Sequence, residues 1–302
     1  MKVTVLLAVY NAGAPLATAI RSILNQDLRD FEFLIIDDAS TDRSADLIRD
    51  FARRDSRIQV HLHERNQGLA ATLNEGLARA NTPLVARMDQ DDESLPSRLA
   101  RQMTEMSARP DLALCGSYVY HMGRTPARDR LVAMPTGDEA IRECLPQYNM
   151  FYHPAVMLNR EKVLAVGGYD GRFRNAEDYD LWLRLSAEYP LANISEPLFR
   201  YRFSTGGMTL GRKWEQLYYV FLAQARHRRP TAPFCELESE ASRLHAQTDR
   251  REFLKGVVRG TCRELRCLGY SGQIARLLWM YRRDLGWVAT RSILAESLRV
   301  PG

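Results

Sequence analysis

Apolar positions come in short bursts over the first hundred residues, and the bursts alternate between two periods. Val3 to Val9 is apolar at every position but Thr4, the pattern of a strand buried on both faces. Pro15 to Leu24 puts Leu16, Ala19, Ile20 and Ile23 on one helical face. Phe31 to Ile36 predicts a second strand that stops at Asp37-Asp38. Ser44 to Arg53 predicts a helix, with Ser40, Thr41 or Asp42 available to cap it. Ile58 to Leu62 alternates as a strand, Leu69 to Ala80 is helical with Leu69, Leu73 and Leu77 four apart, and Leu84 to Met88 is a strand ending at Asp89. Such alternation predicts an α/β, Rossmann-like fold, a mostly parallel sheet flanked by helices.

In sheets of this kind ligands bind beyond the carboxyl ends of the strands. Here those ends carry Tyr10-Asn11, Asp37-Asp38, His63 to Gly68, and Asp89-Gln90-Asp91-Asp92. The middle of the chain is less regular. Leu112 to Tyr120 and Ala155 to Leu158 read as strands, and Gly167 to Gly171 as a turn. Asn175 reads as the cap of a helix from Ala176 to about Glu188, with Leu181, Trp182 and Leu185 facing inward. From about residue 212 the pattern is helical and rich in Arg. The expected organisation is an α/β domain over 1–205 and a basic, mainly helical region over 206–302.

Composition narrows the class. With 45% apolar and 26% charged residues in 302, the chain is an ordinary globular protein. No apolar run approaches the ~20 residues of a membrane-spanning helix. The run Val3 to Val9 has one preceding Lys and no small-residue cleavage site, so it reads as a strand rather than a signal segment. Five Cys with no Cys-x-x-Cys argue against a disulfide framework or a zinc ribbon and fit a reducing cytoplasm. The net charge of +5 is uneven: residues 203–302 hold 17 Lys and Arg against 9 Asp and Glu, leaving 25 against 28 before them. A basic tail region on a slightly acidic body points to an anionic partner, with phospholipid, nucleic acid and polyanionic glycan all candidates.

Several residues carry candidate chemistry, each beside a plainer reading. Asp89 and Asp91, two apart at a strand end, can reach one hard cation such as Mg²⁺ or Mn²⁺. Equally, they belong to a solvated acidic turn leading into the helix after Pro96, with Glu93 or Ser94 near its start. Asp38 can accept from a nucleobase N–H or a ribose hydroxyl, or serve as a turn former. Glu177-Asp178 opens a helix, where a carboxylate can be a general base for a sugar hydroxyl or a plain first-turn acid. Trp182, one turn after Asp178, faces the same cleft or the core. His153 touches a diphosphate or metal, or is structural, and Arg202 meets a leaving diphosphate or only solvent. No Gly-x-Gly-x-x-Gly follows the first strand, which disfavours a dinucleotide-dependent dehydrogenase. A phosphoacceptor receiver domain would carry its acid pair after the first strand rather than the second. No nucleic-acid motif accompanies the Arg-rich tail, so no nucleic-acid partner is expected.

These segments together resemble a known family. Val5 to Asn11, Ser22 to Gln26, Phe31-Glu32 with Ile36 to Asp42, Asn66 to Ala70 with Asn74, Ala86 to Asp92 with Pro96 and Arg98-Leu99, Gly167 to Asp170, and Ala176 to Leu185 are similar to the family 2 glycosyltransferases of GT-A fold, of the bacterial polysaccharide-biosynthesis type. The resemblance spans roughly 1–205. It implies an inverting, metal-dependent transfer of a sugar from a nucleotide diphosphate, UDP or dTDP being favoured, to a glycan or lipid-linked acceptor. By motif, Ala8 and Tyr10 would line the nucleoside pocket, Asp38 would bond the base, and Gly68 would sit in the loop beside it. Asp89 would lie near the ribose, Asp91 would hold Mn²⁺ or Mg²⁺, and Asp178 would be the base. His153, Glu177, Trp182 and Arg202 would be diphosphate or acceptor contacts. The absence of Gln-x-x-Arg-Trp after Trp182 departs from processive members. The competing reading is a catalytically silent nucleotide-sugar-binding protein, but such a protein would be expected to lose Asp91 or Asp178. Beyond the resemblance, Ile274 to Leu298 sets Leu277, Leu278, Trp279, Tyr281, Leu285, Trp287, Val288, Ile293 and Leu294 among Arg276, Arg282, Arg283 and Arg291. Such a segment either lies on an anionic membrane at the cytoplasmic face or packs on protein.

Overall fold

In the computed structural model the chain forms nine strands and eleven α-helices among the described residues, which are 2–202 and 212–298. The boundary expected at 205/206 and the side chain of Trp287 lie outside them. The strands are β1 (Val3–Val9), β2 (Glu32–Asp37), β3 (Ile58–Leu62), β4 (Leu84–Met88), β5 (Glu93–Ser94), β6 (Leu114–His121), β7 (Arg130–Val132), β8 (Met157–Asn159) and β9 (Leu191–Tyr201). The helices are α1 (Leu16–Leu24), α2 (Ser44–Ala52), α3 (Leu69–Arg79), α4 (Arg98–Ala108), α5 (Asp138–Cys144), α6 (Arg160–Ala165), α7 (Glu177–Glu188), α8 (Lys213–Arg228), α9 (Phe234–Gln247), α10 (Arg250–Cys267) and α11 (Ser271–Leu298). The contacts divide the chain into two compact units. The first holds most of the residues up to Arg202; the second takes the C-terminal helices with His121–Arg130 and Phe173–Ala176.

In the first unit the sheet runs β3-β2-β1-β4-β8-β6-β9-β5. β1 pairs in parallel with β2 and β4, and β2 with β3. Beyond β4 the direction changes, since β8 is antiparallel to both β4 and β6. All residues of β1 and β4 are buried, as a strand covered on both faces requires. Val3, Val5, Leu7 and Val9 pack with Leu16, Ala19, Ile20 and Ile23 of α1. Leu6 points the other way, against Gly76 of α3. A Cβ there would come within 2.3 Å of Leu6 Cδ1, so α3 lies closer than any other residue would allow.

Two local expectations are corrected. Glu93 and Ser94 do not start the helix after Pro96; they form β5 against Phe199 and Arg200, and α4 begins at Arg98. No side chain caps α2: Asp42 accepts from the Ser44 N–H (2.9 Å), and Ser40 is spent elsewhere. β9 has no expected counterpart.

The second unit has its own core. Leu254, Val258, Cys262 and Leu265 of α10 pack on Ile274, Leu277, Leu278, Tyr281, Leu285 and Ile293 of α11. Much of the apolar stripe that reads as a membrane face is therefore buried against α10. Trp279, Val288 and Leu294 remain exposed, with the Arg282 guanidinium 4.1 Å over the Trp279 ring. α11 breaks at Gly286 (φ 74°, ψ 161°), a conformation that favours glycine. The Leu285 carbonyl there accepts from Arg251 Nη2 at 2.9 Å.

Candidate active site

The carboxyl ends of β1, β2 and β4 are bound to one another by side chains that follow each strand. The Tyr10 N–H donates to Gln90 Oε1 (2.8 Å) and Gln90 Nε2 donates back to the Tyr10 carbonyl (3.2 Å), so the Asp-x-Asp turn clasps the end of β1. Asn11, at φ 49°, accepts through Oδ1 from the Thr41 N–H (2.8 Å) and donates its own N–H to Ser40 Oγ (2.9 Å). Ala8 is buried and the Tyr10 ring is half exposed, leaving that ring as the open wall above the strand ends.

Asp38 is more occupied than its expected role implies. Oδ1 accepts from the Gln67 N–H (2.8 Å) and pairs with His63 Nδ1 (2.7 Å); Oδ2 accepts from the Gly68 N–H (2.9 Å). Gly68 sits at φ 88°, where an L side chain is strained, and its carbonyl starts the α3 ladder. Asp38 thus shapes the loop around Gly68. His63 is also 2.8 Å from Glu75, and although burial pulls its pKa down, the two carboxylates outweigh burial and raise it.

The acids after β4 crowd together. Burial and the neighbouring Asp89 push the Asp91 carboxyl up from 3.8 to about 6. Burial, Asp89 and Asp91 push the Asp92 carboxyl well above its ordinary value. Asp92 Oδ1 accepts the Arg202 N–H (2.7 Å), while its buried Oδ2 has no partner. Arg202 also donates through Nε to the Asp91 carbonyl (2.7 Å), so it lies beside the acids. Acids held in one turn, with a buried oxygen unpartnered and two carboxyls raised by burial and by their neighbouring acids, are the donor set a hard dication fits.

Asp89 has a partner that sequence reasoning passed over. Arg87, 1% exposed, donates to Asp89 Oδ1 at 2.5 Å. Its charge also bears on Asp178, His153 and Tyr169. The signal was there: an Arg inside a fully apolar buried strand, two residues before an acid. Arg98, fully buried, holds the backbone beneath by donating to the carbonyls of Arg87 (2.7 Å) and Val156 (3.1 Å). Burial drags its pKa to about 9.

Asp178 lies in the first turn of α7. Burial raises its pKa, opposed by the N–H groups of Tyr179 and Asp178 and by Asn149, whose Nδ2 donates to Oδ2 at 2.9 Å. Asn149 was not anticipated, because it lies 29 residues away in an irregular stretch. α7 is anchored by Asp180, buried, which pairs with Arg184 at 2.8 Å; Arg184 in turn donates to the carbonyls of Val166 and Gly168. Asn74 holds the other side of that turn, clasping the Tyr169 N–H (2.8 Å) and carbonyl (2.7 Å). Glu177 opens α7 beside Asp178. Trp182 is fully buried, edge-on to Phe151 and His153, with Nε1 unpartnered, so it takes the core position of its two readings. His153 pairs with the Tyr169 hydroxyl (2.9 Å), and burial with Arg87 drives its pKa well down, leaving a neutral ring.

Comparison with known proteins places the chain in a family. The Glycosyl transferase family 2 profile matches residues 4–167. The amylovoran biosynthesis glycosyltransferase AmsE of Erwinia amylovora is 30% identical over 229 residues, covering 73% of this chain and 85% of its own. The UDP-Gal:alpha-D-GlcNAc-diphosphoundecaprenol beta-1,3-galactosyltransferase of Escherichia coli is 30% identical over 206 residues, 67% of this chain and 74% of its own. The fold matches TarS of S. aureus in complex with UDP-GlcNAc (TM-score 0.64, 14% identity, covering 98% of this chain and 91% of that one). It also matches the mannosyltransferase PcManGT of Pyrobaculum calidifontis in complex with GDP-Man and Mn²⁺ (TM-score 0.56, 17% identity, covering 98% and 83%). The fold is GT-A, and the chain belongs to glycosyl transferase family 2.

Proposed function

We propose that the protein is an inverting, non-processive glycosyltransferase that moves a sugar from a nucleotide diphosphate, UDP or dTDP in first place, to a hydroxyl of a glycan or lipid-linked acceptor in surface polysaccharide biosynthesis. The observation that carries this is a pair of acids with fixed partners: buried Arg87 holds Asp89 in the turn after β4, and Asn149 Nδ2 holds Asp178, whose carboxyl burial raises, in the first turn of α7. The substrates in the name of the Escherichia coli relative, a UDP-sugar and a diphosphoundecaprenol acceptor, support the substrate classes.

Ala8, Tyr10 and the Asp38–Gly68 loop frame the nucleoside, and Asp89 faces its ribose. Asp91 and Asp89 would hold Mn²⁺ or Mg²⁺, which would supply positive charge against the leaving diphosphate. Arg202 adds a guanidinium beside the same turn. Asp178 takes the proton of the acceptor hydroxyl, and Asn149 orients the carboxylate by holding Oδ2. Attack from the face opposite the diphosphate inverts the anomeric centre. His153, neutral, packs edge-on with Trp182, and Glu177 beside Asp178 is a contact for diphosphate or acceptor.

The chain has no helix long and apolar enough to cross a membrane among the described residues. Exposed Trp279, with Arg282 over its ring, and exposed Val288 support a peripheral place on an anionic cytoplasmic membrane face, tested by flotation with anionic and neutral liposomes. Free thiols at Cys115, Cys144, Cys235, Cys262 and Cys267 agree with that side. The deciding experiment is Asp178→Asn. It should stop transfer while nucleotide binding persists; near-normal turnover would remove Asp178 from its role.

A further inference from the structure

Among the described residues, one group of three His, Cys, Asp or Glu side chains brings its ligand atoms within 4.8 Å of one another, and it is not the acid turn after β4. It is His61, His63 and Glu75. Local structure makes the group. His61 is the fourth residue of β3. His63 follows the strand, yet its N–H still bonds the Asp37 carbonyl (2.9 Å), so the ladder continues and the two imidazoles, two apart, share one face of the sheet. Glu75 comes from α3, which packs over that face. Its Oε1 lies 2.9 Å from His61 Nε2 and its Oε2 2.8 Å from His63 Nε2. Both imidazoles therefore turn Nε2 to the one Glu75 carboxylate, each to a different oxygen.

We propose that His61, His63 and Glu75 form a second cation site, for a borderline transition-metal dication of the zinc class, joined through His63 to the donor pocket. Two imidazoles and one carboxylate are a three-ligand set that suits zinc, cobalt or nickel rather than magnesium, and it leaves a position open. The remaining nitrogen of His63 supports the assignment. A metal-ligating imidazole usually gives its other N–H to a carboxylate, which fixes the tautomer. His63 Nδ1 is 2.7 Å from Asp38 Oδ1. That same carboxylate accepts from Gln67 and Gly68, so the cation would brace the loop beside the nucleoside.

Arg79 is the group that competes. Its Nε donates to Glu75 Oε1 at 2.6 Å, and Nη2 lies 3.2 Å from His61 Nε2. Its side chain is 47% exposed and one helical turn from Glu75, so it can swing into solvent when a dication takes its place. It makes the site selective against weakly held ions, and its removal should tighten binding.

The test is titration of the metal-free full chain with Co²⁺ under saturating Mg²⁺, which keeps the hard-cation acids filled. One Co²⁺ per chain should bind with the visible absorption of a low-coordinate cobalt–imidazole centre, and Zn²⁺ should displace it. His61→Gln and Glu75→Gln, on separate elements, should each lose the band and bind at least about tenfold more weakly, the scale on which single ligand-sphere changes act. Arg79→Gln should keep the band and bind more tightly, an outcome that misfolding cannot imitate. Asp91→Asn should leave the band unchanged, which separates this site from the acids after β4. The proposal is overturned if wild type shows no such band, if both Gln variants keep it at unchanged affinity, or if Asp91→Asn removes it.

Discussion

Replacing Asp91 by Asn should make the metal-free protein more stable while ending its metal-dependent nucleotide binding. The folded chain holds the Asp91 proton more tightly than an unfolded chain, with a pKa raised from 3.8 to about 6 by burial and by Asp89. Its contribution to stability is therefore complete below pH ~4 and is lost as pH rises through about 6. At ~1.4 kcal/mol for each tenfold gain in proton affinity, this rise sets an upper limit of ~3 kcal/mol at neutral pH, and the partial solvent access of Asp91 lowers it to ~1–3 kcal/mol. For a chain of this size that is a rise in Tm of roughly 2–6 °C. The assay is thermal melting at pH 7.5 and at pH 4.5, with chelator and then with Mn²⁺ plus nucleoside diphosphate. The Asn variant should melt later than wild type at pH 7.5, and the difference should shrink at pH 4.5. With Mn²⁺ and a nucleotide at 100 times its Kd, wild type should gain about 2.7 kcal/mol and the variant none. A variant that melts earlier in chelator, or whose advantage is the same at both pH values, would refute the electrostatic argument.

Other consequences follow from the same geometry. Asp178→Asn should lower kcat by about 10²–10⁴-fold with the nucleotide Kd unchanged, read by sugar transfer and by calorimetry. Because burial raises the Asp178 pKa, kcat should fall as pH drops through a value above the ordinary aspartate range, and Asn149→Ala, which removes a donor to the charged form, should move that limb to higher pH in a pH–rate profile. Arg98→Ala should cost ~2–4 kcal/mol in denaturant unfolding, because the Arg87 carbonyl loses its side-chain donor and the Val156 carbonyl keeps only the Arg87 N–H.

What was legible in the chain is what period and strand ends encode. The unbroken runs of β1, β2 and β4, the helical faces of α1 and α3, and the polar residues that follow each strand stand in the structure where periodicity put them, because a parallel sheet buries whole strands and exposes only their ends. β9 was missed for the opposite reason. Over Leu191–Tyr201 its burial is mixed and Pro197 interrupts it, so neither period dominates. Glu93 and Ser94 look like a helix entry until β9 supplies their partner. The candidate acids were readable because they directly follow β4 and open α7. Arg87, Asn149 and the His61–Glu75 pair were not, since each acts through a partner that only the tertiary fold brings near. Asp38 shows the converse: its place was legible, but its hydrogen bonds to Gln67, Gly68 and His63 were not. The apolar residues of α11 were visible as a stripe, but the stripe did not say whether lipid or α10 covers it.

Donor recognition by the strand ends of β1, β2 and β4 underlies every proposed step. Calorimetric titration of the wild-type chain with UDP, dTDP, GDP and CMP, each with and without Mn²⁺, tests it. One nucleoside diphosphate, UDP or dTDP, should bind with micromolar affinity only when the metal is present. Binding of no nucleotide at millimolar concentration, or equal binding with and without the metal, would contradict it.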